Sequence, residues 1–109
     1  MDKKYKEILG KRMAYLDSGA GQSIVFLHGN PASSFLWRNI TPHVENMGRI
    51  VVPDLIGMGD SEKLGGTDNP DYQYHGQYKY LSTLLDELDL GEEINLVIHD
   101  WGSAMGFQY

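Results

Sequence analysis

Three short apolar runs, separated by two helical patterns, leave this chain few ways to fold. Ser23–Leu27 reads Ser-Ile-Val-Phe-Leu, Arg49–Val52 reads Arg-Ile-Val-Val, and Ile94–His99 reads Ile-Asn-Leu-Val-Ile-His. Short β-branched runs bounded by turn residues predict strands covered on both faces. Between the first two, Ser33 or Ser34 can cap a helix that carries Leu36, Trp37, Ile40 and Val44 on one face. Tyr74–Leu88 sets Tyr78, Leu81, Leu84, Leu85 and Leu88 at i, i+3, i+4 spacing, which predicts an amphipathic helix ended by Gly91. Ahead of these, Tyr5–Leu9 and Arg12–Leu16 predict a hairpin around Gly10-Lys11. Ser18–Gln22 reads as a flexible turn, Asp54–Gly66 as a glycine-rich loop and Thr67–Tyr72 as a polar linker. Strands alternating with helices predict the α/β class: a mostly parallel sheet with right-handed crossovers and helices on both faces.

Composition narrows the function classes. The chain has 109 residues and a formal net charge of -6. An acidic balance with no basic patch argues against nucleic acid as the partner. With no cysteine there is no disulfide framework, no thiolate metal site and no cysteine nucleophile. No uncharged apolar stretch approaches the roughly 20 residues of a membrane span. Met1–Lys6 is basic but leads into no apolar core of a signal peptide, so a cytoplasmic protein is expected. No metal or organic cofactor is implied. The last strand is followed by only a short helical stretch, Ala104, Met105, Phe107 and Tyr109. Isolated helices below about 12–15 residues are marginal in water. Residues 1–109 are therefore expected to be the N-terminal portion of a single core domain, the alternative being a complete small protein.

The chemistry sits at two strand ends. In open sheets of this class ligands bind beyond the carboxyl ends of the strands. His28-Gly29-Asn30-Pro31 leaves one such end and Asp100-Trp101-Gly102 leaves another, so the two loops are expected to line one crevice. Strand, sharp turn and helix with small residues around one reactive side chain describe a nucleophile elbow, usually G-x-S-x-G. Here the run is Ile98-His99-Asp100-Trp101-Gly102, with a carboxylate at the apex. A carboxylate is ionised at neutral pH and needs no activating base. It displaces a leaving group from saturated carbon and leaves an ester that water can hydrolyse. Attack on an acyl group would give a mixed anhydride instead. Asp100 therefore points to alkyl halides or epoxides. The Trp101 indole donates and never accepts, and the Asn30 amide offers a second donor; together they suit a leaving halide. The backbone N–H groups of Trp101 and of the Asn30 loop would form an oxyanion hole for ester hydrolysis.

Each residue also has a plainer reading. Asp100 can be a helix N-cap, Trp101 core packing, and Asn30 turn chemistry before proline. Their joint placement on two strand-end loops favours the chemical reading. His28 reads as a buried hydrogen-bonded loop residue and His99 as structural, while His43 and His75 fall on helix surfaces. Trp37-Arg38 reads as packing plus an ion pair. Asp86, Glu87, Asp89, Glu92 and Glu93 read as a solvated run.

Three segments carry a resemblance: His28–Pro31 with Ser33–Ile40, Pro53–Ser61, and His99–Ala104. Together they resemble the haloalkane dehalogenases of the α/β-hydrolase superfamily. The glycine-containing pieces are shared widely across the superfamily; Asn30 combined with Asp100-Trp101 is far more specific. The resemblance implies Asp100 as nucleophile and Asn30 with Trp101 as the halide-stabilising pair. It implies a mostly parallel eight-stranded sheet under a helical cap, with the acid and the His base later in chain order. The cap, acid and base have no matching positions here, so this chain is expected not to turn over and, at most, to be alkylated once at Asp100. A small halogenated aliphatic substrate and water are the implied partners, and a monomeric parent. Coelenterazine-type luciferases keep the Asn, Asp and Trp positions, and epoxide hydrolases share an Asp elbow but usually carry an aromatic residue where Asn30 stands. A non-catalytic binding protein of the same fold is a further alternative.

Overall fold

The computed structural model describes residues 3–29, 33–65, 69 and 72–109. Five strands form one sheet: β1 (Lys4–Ile8), β2 (Lys11–Ser18), β3 (Ser23–Leu27), β4 (Arg49–Pro53) and β5 (Ile94–Ile98), in the order β1-β2-β4-β3-β5. The hairpin β1–β2 and the pair β2–β4 are antiparallel, while β3 runs parallel to both β4 and β5. Thus β3 lies between two parallel neighbours, which is why its run is apolar without alternation.

Period-two alternation divides the core between the two faces. Phe26, Ile50 and Val52 join Trp37 on one face, with the Phe26 and Trp37 rings 5.5 Å apart. Val25, Leu27 and Val51 join Leu81, Leu84, Leu85 and Met105 on the other. The first face is covered by a 3-10 helix, Ser34–Trp37, and by α1 (Thr41–Val44); the second by α2 (Tyr74–Glu87) and α3 (Trp101–Gln108). Helices therefore flank both faces. In α2 the buried residues Gln77, Tyr80, Leu81, Leu84 and Leu85 follow the helical period, with Tyr78 half-buried beside them. Burial of each such leucine is worth roughly 2 kcal/mol.

Several expectations need correction. The hairpin turns at Leu9-Gly10, not Gly10-Lys11. Both residues are left-handed (φ +51° and +80°), as a two-residue turn matching the strand twist requires. The single helix expected after Ser33 is two short pieces. Ser33 does cap, its Oγ accepting from Phe35 N at 3.2 Å, but the 3-10 turn closes at Trp37 and a separate α1 begins at Thr41 with Pro42 in its first turn. Leu36 and Ile40, expected to be buried, are exposed. Helix α2 ends at Glu87 with Leu88 as its C-cap, and Asp89 at φ +51° breaks it before Gly91 is reached. Arg38 forms no ion pair among the described residues; its guanidinium lies 3.9 Å over the Phe35 ring and donates to the Phe35 carbonyl. Residue 66 of the expected loop and residues 67, 68, 70 and 71 of the expected linker lie outside the described residues. Tyr72 at its end is more than linker, since its hydroxyl donates to the Leu64 carbonyl and accepts from Leu64 N.

No helix among the described residues is long and apolar enough to cross a membrane.

Candidate active site

Strands β3 and β5 are sheet neighbours in register from Ser23↔Ile94 to Leu27↔Ile98, so the chain leaves both at the same edge. The two loops singled out from the sequence, 70 residues apart, therefore meet. Gly29 of one lies against Asp100 of the other. A Cβ on Gly29 would lie 2.5 Å from Asp100 Cβ and 2.7 Å from its Oδ2. Only glycine leaves room there for the carboxylate.

Asp100 holds φ +56° and ψ -123°, one of three non-glycine residues with positive φ among those described. Such a conformation costs of order 1–3 kcal/mol and persists only where the surroundings impose it. Here they do. Gly102 N bonds the His99 carbonyl and Ser103 N the Asp100 carbonyl, each at 2.9 Å, which tightens the turn into α3. Gly102 then brings the helix down on β3, where a Cβ would stand 2.4 Å from the Leu27 carbonyl oxygen. Gly106, one turn on, packs against Ile98 and Leu27. Asp100 occupies the N-cap position of α3, yet its side chain makes no capping hydrogen bond. The plainer reading of this aspartate is thereby set aside, and the strain it bears has no helix-capping return.

Trp101 is the first residue of α3 and half-buried against the core, its ring edge-on to Tyr74 at 6.0 Å. Packing and chemical readings of Trp101 are thus compatible: the core fixes the indole next to the apex. Asn30 lies outside the described residues. His99 is exposed, as are His43 and His75 on their helices. No group of three His, Asp or Glu among the described residues could hold a metal ion.

The sequence reading missed what holds the Gly29 loop. His28 is fully buried. Its Nε2 accepts from Leu55 N at 3.0 Å, and its Nδ1 contacts the Gly29 carbonyl at 2.6 Å. One ring nitrogen accepts and the other must donate, so the ring is neutral with its proton on Nδ1. Burial pushes His28 below its ordinary value near 6.5, more than the Gly29 bond and the Asp54 charge raise it. Asp54, also fully buried, takes Lys3 Nζ at 2.6 Å, Ser34 N at 2.7 Å and Asp60 N at 3.1 Å. Burial would raise the Asp54 carboxyl, but the Lys3 ammonium and these N–H donors outweigh it and hold it below its ordinary value. Sequence patterns carry little signal for the bonds that join separate segments, because those from Ser34, Leu55 and Lys3 span 20, 27 and 51 positions.

The signs of both shifts predict the acid response. Below about pH 6.5 the unfolded chain protonates His28 before the folded chain does, so stability falls with falling pH, by up to roughly 1.4 kcal/mol per pH unit. Asp54 adds a second loss only below about pH 4, as its folded-state value is passed. The thermal midpoint is expected to drop between about pH 7.5 and pH 5.5, and His28→Asn is expected to flatten that slope. An unchanged slope in the variant would remove His28 as its cause.

The alpha/beta hydrolase fold family matches residues 22–109. A haloalkane dehalogenase of Mycolicibacterium smegmatis is 57% identical over 106 residues, covering 97% of this chain and 34% of its own length. A haloalkane dehalogenase of Sphingobium indicum is 54% identical over 108 residues, covering 99% of this chain and 36% of its own. Among solved structures, a loop variant of a haloalkane dehalogenase from Bradyrhizobium elkanii superposes with a TM-score of 0.85 at 41% identity, over 97% of this chain and 34% of that one. This chain thus spans about a third of the length of the relatives it matches. Family match and the superposition agree: the chain belongs to the alpha/beta hydrolase fold family.

Proposed function

We propose that this chain carries the displacement machinery of a haloalkane dehalogenase, with Asp100 as the nucleophile. The observation that carries this reading is the Asp100 carboxylate itself, held on a strained turn at the sheet edge, opposite Gly29, and not used to cap its helix. The names of the relatives support the same chemistry. A carboxylate oxygen of Asp100 attacks the halogen-bearing carbon from the side opposite the leaving group. The carbon–oxygen bond forms as the carbon–halogen bond breaks, and the bonding pair leaves as halide. The Trp101 indole N–H and the Asn30 side-chain amide receive that halide. Both are neutral donors, suited to an anion too weakly basic to take a proton.

Hydrolysis of the alkyl ester then needs water to add to the carbonyl carbon, releasing alcohol and regenerating the carboxylate, with one proton set free. The N–H groups of Trp101 and Asn30 would hold the oxyanion of that step. His28 is unsuited to activating the water, because both ring nitrogens are engaged and the ring is buried. The substrates on this reading are a small halogenated aliphatic compound and water. On this reading residues 1–109 are the N-terminal portion of one core domain of a monomeric cytoplasmic parent, and the match to about a third of the relatives' length fits such a portion.

Incubating the chain with 1-bromohexane tests the first step. One bromide released per chain, followed by a halt, is the expected result. Bromide at the buffer-only rate would defeat the proposal.

A further inference from the structure

We propose that Asp54, braced by Lys3, is a positioning residue that holds the segment leaving β3 against the Asp100 carboxylate. The inference rests on Asp100 being the nucleophile. Two consecutive residues beyond β4, Asp54 and Leu55, grip the β3 loop on both sides. Leu55 N donates to His28 Nε2, just before Gly29. The Asp54 carboxylate accepts from Ser34 N, just after the loop. Gly29, which faces Asp100, lies between these two attachments in sequence.

The Asp54 charge does more than fix its own strand. β4 is already fixed by ladder bonds to β2 and β3, and a neutral side chain could fill the same space. Removing a carboxylate from water costs several kcal/mol, and buried ion pairs are often no more stabilising than apolar replacements. Yet Asp54 is enclosed completely. Gly59, at φ +53°, wraps so closely that a Cβ there would stand 2.4 Å from Asp54 Cγ. Lys3 reaches the carboxylate from the start of the chain and also pairs with Asp60 at 2.7 Å. A charged acceptor roughly doubles the strength of the bond to Ser34 N over a neutral one. That gain goes to locating the loop, and small misplacements near a reacting centre cost rate steeply.

The test measures alkylation of Asp100 by 1-bromohexane as a function of its concentration, by intact mass. Asp54→Asn keeps the shape and removes the charge. It is expected to slow the saturating rate by roughly ten- to a hundredfold, with the half-saturating concentration changed less than about twofold. The Ser34 amide should exchange with solvent faster in the same variant. Lys3→Met should give a smaller loss that Lys3→Arg restores. A folded Asp54→Asn chain alkylated within about twofold of the parent rate overturns the inference. If that variant does not fold, an unchanged rate in Lys3→Met overturns it instead. Absence of any adduct on the unsubstituted chain defeats the nucleophile reading, and the positioning role with it; the unsubstituted arm thus separates the two failures.

Discussion

Asp100→Asn is expected to abolish bromide release and adduct formation while leaving the fold intact. The substitution preserves shape and removes the charge that makes the oxygen a nucleophile. An amide oxygen at the same place has neither the electron density nor the stable product, so the displacement rate should fall by at least about 10⁴-fold, as when other enzymes lose a nucleophile. The fold should persist, because the Asn side chain keeps the shape and the carboxylate it replaces makes no capping hydrogen bond to α3. Asp100→Gly makes the complementary case. It also removes the nucleophile, but it relieves the positive φ, and it is expected to raise stability by about 1 kcal/mol. Loss of activity together with a gain of stability is the signature of strain kept for chemistry. A stability loss in Asp100→Gly would instead mean that the aspartate has a structural task. Bromide release paired with chemical denaturation measures both.

Gly102→Ala should produce the largest stability effect. In an ordinary helix this change gains up to about 1 kcal/mol. Here the added Cβ would meet the Leu27 carbonyl oxygen at 2.4 Å and its carbon at 2.7 Å. Those are backbone atoms of a central strand and cannot yield, so α3 must lift away from β3. The expected cost is about 3 kcal/mol or more, a large share of the 5–15 kcal/mol that holds a typical domain together. Because α3 carries Asp100 at its start, the variant should lose alkylation as well. Gly65→Ala is the control: among the described residues nothing lies within 4 Å of a Cβ there, and its effect should stay within about 0.5 kcal/mol. Equal denaturation midpoints for the two variants would mean that helix and strand are not in close contact.

Particular residues show why some of this was legible in the sequence and some was not. The bounds of β3 matched the apolar run Ser23–Leu27 because burial on both faces leaves an uninterrupted pattern. Asp100 stood out because an apolar strand, small residues and a helical pattern surround it. Its strain did not, since φ is imposed by Gly102 and Ser103 bonding back across the turn. The turn at Leu9 was misplaced by one residue because leucine carries no signal for a left-handed conformation. Leu36 and Ile40 sit at helical spacing and still face solvent, since the 3-10 turn and Pro42 break the period that would have buried them. His28 was read as a buried loop residue, and it is one. Asp54 was passed over as part of a glycine-rich loop, although it binds three donors from three separate segments. Periodicity reports what a residue's neighbours in sequence do; it says little about a carboxylate whose partners are Lys3, Ser34 and Asp60.

The most direct measurement is where the alkyl group goes. After exposure to 1-bromohexane the chain is digested and the peptides covering residues 81–109 are fragmented in a mass spectrometer. A single hexyl ester on Asp100, absent from the Asp100→Asn chain, is the result predicted here. A hexyl group spread over the exposed carboxylates Asp86, Glu87, Glu92 and Glu93, with none on Asp100, would contradict the assignment of this elbow as the reacting centre.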